Sequence, residues 1–120
     1  MFEIEFYEDS GGNSELKSFI SQLCEKSKTV KDARIVFTKI IAYLNILEEK
    51  GTSAGMPMLR HLQDELWELR PVSYRILFAR REQGGFVLLH YFRKTTKRTP
   101  KKEIEKALRE LSDYKQRNKK

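Results

Sequence analysis

Residues 66–92 read LWELRPVSYRILFARREQGGFVLLHYF, and the way this stretch divides decides the fold. Three apolar segments, LWELR (66–70), YRILFAR (74–80) and GFVLLHYF (85–92), are separated by Pro71-Val72-Ser73 and by Gln83-Gly84-Gly85. Short apolar and aromatic runs bounded by proline, serine and glycine are strand signals, and the second connection has hairpin chemistry. The stretch predicts a three-stranded antiparallel meander. Its last strand is apolar on both faces, as expected of a strand covered on each side.

On the N-terminal side, FEIEFYE (2–8) places Phe2, Ile4 and Phe6 on one face and Glu3 and Glu5 on the other, a half-exposed strand. Gly11 and Gly12 break it. Leu16, Phe19, Ile20 and Leu23 then recur at helical spacing, with Asn13 or Ser14 as the N-cap and Cys24 continuing the stripe as a small core residue rather than a nucleophile. A longer helix is predicted over Asp32–Lys50, where Ala33, Val36, Phe37, Ile40, Leu44 and Leu47 form a stripe that Ile35, Ile41, Tyr43 and Ile46 widen. A stripe this wide means either that the helix lies between two layers or that one flank meets a partner. Gly51 stops it, and TSAGMPM (52–58) has loop composition.

Beyond the meander, Thr99-Pro100 has the form of an N-cap followed by proline at the first helical position. Ile104, Ala107, Leu108 and Leu111 supply the helical stripe, and a basic tail frays from about residue 115 to residue 120. The expectation is one α+β domain over residues 1–120: an N-terminal strand, two helices, the meander and a C-terminal helix.

Composition excludes several classes. Apolar residues make up 39% and charged residues 34% of the 120, a soluble globular balance. No apolar run approaches the ~20 residues that a membrane-spanning helix needs. The acidic start MFEIEFYEDS has no signal-peptide character. One cysteine gives neither a disulfide framework nor a cysteine zinc site, and a reducing cytoplasm suits it. Two separated histidines make no metal case, and no phosphate-binding glycine loop or serine nucleophile motif is present.

Charge is more telling. The net +7 is spread as −4 over residues 1–27, zero over 28–69 and +11 over 70–120. In FRKTTKRTPKKE (92–103), the span from Arg93 to Lys102 carries Arg93, Lys94, Lys97, Arg98, Lys101 and Lys102 and no acid. So segregated a field steers a polyanion, nucleic acid being the commonest, although an acidic protein segment satisfies it too. If Arg70 and Arg75 flank the Pro71–Tyr74 turn, they project from one face and repel unless water or an anion separates them. Strict alternation along the last strand puts Phe86, Leu88, His90, Phe92 and Lys94 on one face and Tyr91 and Arg93 on the other. His90 is then either a hydrogen-bonded core histidine or an acid–base group. His61 is a surface residue, Trp67 and Leu69 are core, and Glu68 is a general base or an arginine's partner.

LWELR, SYRILF, FVLLHYFRKTTKRTP and EIEKALREL together resemble the RelE/ParE toxin superfamily, in its phage-derived HigB-like branch. The resemblance covers about residues 60–115. It implies a toxin of a type II toxin–antitoxin system: a cytoplasmic, metal-independent endoribonuclease that cuts messenger RNA on the ribosome. It needs no cofactor and is neutralised in a hetero-oligomer by a HigA-like antitoxin with a helix-turn-helix domain. By position, Arg75 matches the family's phosphate-binding arginine, Arg70 the basic residue closing the first meander strand, and Lys94, beside Arg93, the basic residue ending the last. Where RelE carries lysines on the first meander strand this chain has Leu66 and Glu68, and where RelE has a tyrosine after the last strand it has Thr99-Pro100. His90, Glu68 and Lys94 are therefore the proton-transfer candidates. Arg80, Arg93, Lys97, Arg98 and Lys101 are the expected RNA contacts. A ParE-like gyrase inhibitor without chemistry, or a basic nucleic-acid or acidic-peptide binding module, are the alternatives.

Overall fold

Alternation and hairpin chemistry build a five-stranded mixed sheet in the computed structural model, which describes residues 1–118. In chain order the elements are β1 (Ile4–Phe6), α1 (Glu15–Lys26), α2 (Lys31–Lys50), a short 3-10 turn (Gly51–Ala54), β2 (Leu59–Gln63), β3 (Leu66–Leu69), β4 (Tyr74–Arg80), β5 (Phe86–Arg93) and α3 (Lys101–Arg117). The spatial order is β1-β5-β4-β3-β2. β1 runs parallel to β5, with Ile4 opposite Phe86, and the remaining neighbours are antiparallel.

The sheet is covered on both faces. Leu16 and Leu23 of α1 and Ala33, Ile40 and Leu47 of α2 pack on Leu59, Leu69, Ile76, Phe78, Phe86 and Leu88. On the other face Ala107, Leu111 and Tyr114 of α3 cover Leu66, Leu77, Ala79, Val87, Leu89 and Phe92. Each fully buried Leu, Ile or Phe contributes about 1.5–3 kcal/mol, and both faces hold several. A one-residue slip of β4 would turn both sets over at once, so its register is strongly specified.

Three expectations need correction. The meander has four strands, not three: β2 pairs with β3 through Arg60 opposite Glu68 and His61 opposite Trp67. Its connection is Asp64-Glu65, with Asp64 at φ 50, a turn without glycine that carries little sequence signal. Strict alternation also fails along β5. Leu77 faces His90 while Phe78 faces Leu88, so Leu89 is an extra residue and forms a β-bulge. Phe86 and Leu88 therefore face α1 and α2, whereas His90, Phe92 and Lys94 turn toward the α3 side. Finally, α3 begins differently: Pro100 is the N-cap residue and no side chain caps the helix.

The tail expected to fray is helical through Arg117, and Lys119 and Lys120 lie outside the described residues. α2 is not enclosed between layers, since Ile35 is 46% exposed. Ser14 is the N-cap of α1, accepting from the Lys17 amide at 3.1 Å, and Cys24 is half-buried. No helix among the described residues is long and apolar enough to cross a membrane.

Candidate functional site

The bulge decides where the cations meet. On the α3 face, beyond the end of that helix, Arg60 (β2), Glu68 (β3), Arg70 (after β3), Arg75 (β4) and Phe92 (β5) meet Lys94, Thr96, Lys97, Arg98 and Thr99 of the β5–α3 connection around one hollow. Six of these residues are cations and one is an acid. Without the bulge, the alternation that places Leu88 toward α1 and α2 would carry Phe92 and Lys94 to that side as well.

Glu68 stands at the centre, 1% exposed. Its Oε1 accepts from Arg60 Nε at 3.0 Å and lies 3.7 Å from Arg70 Nε, an ion pair too long for a hydrogen bond. Its Oε2 accepts from the Thr99 hydroxyl. Arg70 Nε is itself buried without a hydrogen-bond partner, an unmet donor of the kind that an anion satisfies.

Arg75 is 6% exposed. Its guanidinium donates to the carbonyls of Tyr74 at 2.7 Å and Val72 at 3.2 Å. Val72 adopts φ 55, a region that a β-branched residue resists; such strain costs about 1–3 kcal/mol and is sited where the backbone grips this arginine. Burial first, then Arg70, pulls the Arg75 pKa below its ordinary value, with Glu68 acting against them. Arginine nonetheless stays charged, so the buried Arg75 holds a positive charge that water screens poorly. Free space within it is only about 10 Å³, about what one water requires.

The other expected residues lie elsewhere. His90 Nε2 is 2.7 Å from Glu103 Oε1 beneath the first turn of α3, outside the lining of the hollow. Burial holds its pKa below the ordinary value despite the Glu103 partner, so the imidazole is neutral at pH 7 and donates to Glu103. Arg93 is exposed opposite Tyr74, and Lys101 is exposed at the start of α3; neither lines the hollow. Arg80 binds the Thr52 hydroxyl at 2.8 Å, five residues up β4 from Arg75, a separation of about 17 Å along a strand. His61 is exposed, its Nε2 on the Asp64 carbonyl at 2.7 Å.

Four residues of the hollow, Arg60, Phe92, Thr96 and Thr99, are not among the site residues expected from the sequence. Arg60 lies in β2, where Leu59 and Leu62 stand three residues apart and give no strand alternation. Thr99 was read as a helix cap, the usual role of threonine before Pro. Among the described residues no cluster of His, Cys, Asp and Glu is placed to hold a metal ion.

Fold and hollow together define a small α+β domain with an arginine-lined recess at a sheet end. Residues 27–112 match the family described as Phage derived protein Gp49-like (DUF891), and the chain belongs to it. That family falls within the RelE/HigB-like toxin clan, whose members are associated with toxin–antitoxin systems. No curated protein matches the chain.

Proposed function

We propose that this protein is the toxin of a type II toxin–antitoxin pair: a HigB-like, ribosome-dependent endoribonuclease that cuts messenger RNA. A HigA-like antitoxin with a helix-turn-helix domain would neutralise it. One observation carries the reading: six cations line one hollow that also holds a single buried carboxylate, with Arg60 and Arg70 directly against it. Arginine forks suit the oxygens of a phosphodiester.

In the reaction the ribose 2′-oxygen attacks the adjacent phosphorus. A 2′-O–P bond forms and the P–O5′ bond breaks, leaving a 2′,3′-cyclic phosphate and a 5′-hydroxyl. Arg60, Arg70 and Arg75 stabilise the charge that grows on the non-bridging oxygens, where preorganised donors contribute most. Glu68 takes the 2′-hydroxyl proton, and the Lys94 ammonium gives one to the departing 5′-oxygen. Lys97 and Arg98 hold neighbouring phosphates. His90 and Glu103 brace the start of α3 and so the end of the cationic connection.

The test is controlled expression of wild type, Arg75→Ala and Arg60→Ala, with transcript 5′ ends mapped. Wild type should arrest growth and cut within translated codons, and both variants should lose cleavage and arrest. Arrest with intact transcripts and inhibited supercoiling would assign a gyrase inhibitor instead, and no arrest would assign a binding module.

A further inference from the structure

The connection that supplies half of the cations also closes the hollow. Thr96, Lys97, Arg98 and Thr99 form one wall, and behind them the free space is about 10 Å³. A phosphodiester is larger than a water and does not fit within the hollow unless some of its lining moves. The segment makes three hydrogen bonds, the second of them internal to it. The Lys94 amide donates to the Ser73 carbonyl at 2.7 Å, the Thr96 hydroxyl donates to the Arg98 carbonyl at 2.6 Å, and the Thr99 hydroxyl donates to Glu68 Oε2. Only the last of these reaches into the hollow. Residues 94–98 are otherwise exposed, so little buried apolar surface resists their movement.

The Thr99 bond has a particular chemistry. Glu68 is the only acid in the lining, and its other oxygen is already taken by Arg60. Oε2 is thus the acceptor left for a hydroxyl, and Thr99 fills it with an aliphatic one, the same type of donor as a ribose 2′-hydroxyl. We propose that residues 96–99 act as a strap that shuts the site, with the Thr99 hydroxyl occupying the place of the substrate's 2′-hydroxyl until RNA displaces it. The inference rests on the function proposed above. It adds that the free protein is self-occluded, and that RNA regains from its own 2′-hydroxyl the bond lost when the strap leaves, whereas DNA does not.

Thr99→Val keeps the shape and removes the donor, while Thr99→Ser keeps the donor. Binding is read off the ribosome by fluorescence anisotropy with a labelled oligoribonucleotide that keeps its 2′-hydroxyls, beside the oligodeoxyribonucleotide of the same sequence, at fixed salt, on the folded full chain checked by circular dichroism. A hydrogen bond to a charged group sets the scale at about tenfold in affinity. Thr99→Val should bind the oligoribonucleotide about tenfold more tightly than wild type, and Thr99→Ser should match wild type. If Thr99→Val binds no better while Arg60→Ala and Arg75→Ala bind worse, the strap is overturned and the cationic site stands. If neither arginine variant weakens binding, the site itself fails and the strap with it.

Discussion

Replacing Glu68 by glutamine removes one charge from the hollow with almost no change of shape. The amide still accepts from Thr99 or Arg60, so the effect isolates electrostatics. Arg60 Nε stands at 3.0 Å and Arg70 Nε at 3.7 Å from Glu68 Oε1. At an effective dielectric of about 20, unit charges about 4 Å apart interact by roughly 4 kcal/mol. The Arg60 side chain is 38% exposed, so much of its share is recovered from water. Glu68 also gives up a desolvation penalty when it becomes neutral. The balance is about 2 kcal/mol of lost stability, because the cations left behind repel one another at close range. For a chain of this size that lowers Tm by about 6–10 °C. The assay is thermal unfolding of wild type and Glu68→Gln at low salt and again near 1 M, where screening acts over about 3 Å. The gap should narrow at high salt, as repulsion among the remaining cations is damped. Equal stability at low salt, or a gap that ignores salt, would refute the picture of a carboxylate neutralising a crowded cationic cluster.

Three other outcomes follow from the geometry. Gly85 has φ 77, and a Cβ there would sit 2.3 Å from the Glu3 carbonyl oxygen; Gly85→Ala should lose about 2 kcal/mol or more in denaturant unfolding, and Gly84→Ala, which meets nothing within 4 Å, distinctly less. The folded chain holds the His90 pKa below its ordinary value, so the unfolded chain takes up a proton near pH 6.5 that the folded one refuses. The stability advantage of wild type over His90→Gln should therefore shrink as pH falls from about 7.5 to about 5.5, and an advantage that grows would contradict the assignment. Burial, aided by Glu15 and opposed by Lys106 and Arg109, raises Glu110 to about 7. Wild type should lose stability relative to Glu110→Gln as pH rises through the interval between the ordinary carboxyl value and about 7, a trend measured by unfolding at a series of pH values.

The meander was legible because two of its turns announce themselves with proline, serine and glycine, and because YRILFAR and GFVLLHYF are long apolar runs. β2 was not, since its five residues and the Asp64-Glu65 connection after them offer neither a glycine turn nor an apolar run. The pairing of Arg70 with Arg75 on one face followed from the turn between them, and Glu68 followed from alternation with Arg70. The face of His90, Phe92 and Lys94 could not be read the same way. A bulge at Leu89 is set by packing on two sides of the sheet, and nothing in LLHY marks it. Thr99 misled for a related reason: its preference for capping is a local tendency, and a buried carboxylate two strands away outweighs it.

The central claim is that the hollow around Glu68 cleaves RNA by 2′-hydroxyl attack. The direct measurement incubates purified wild type, Arg75→Ala and Glu68→Gln with ribosomes translating a defined messenger and determines the chemistry of the new ends. Wild type should leave 2′,3′-cyclic phosphate and 5′-hydroxyl ends inside codons, with the two variants slowed by at least about a hundredfold. An intact messenger with wild type, or cleavage that the two variants perform equally well, would contradict it.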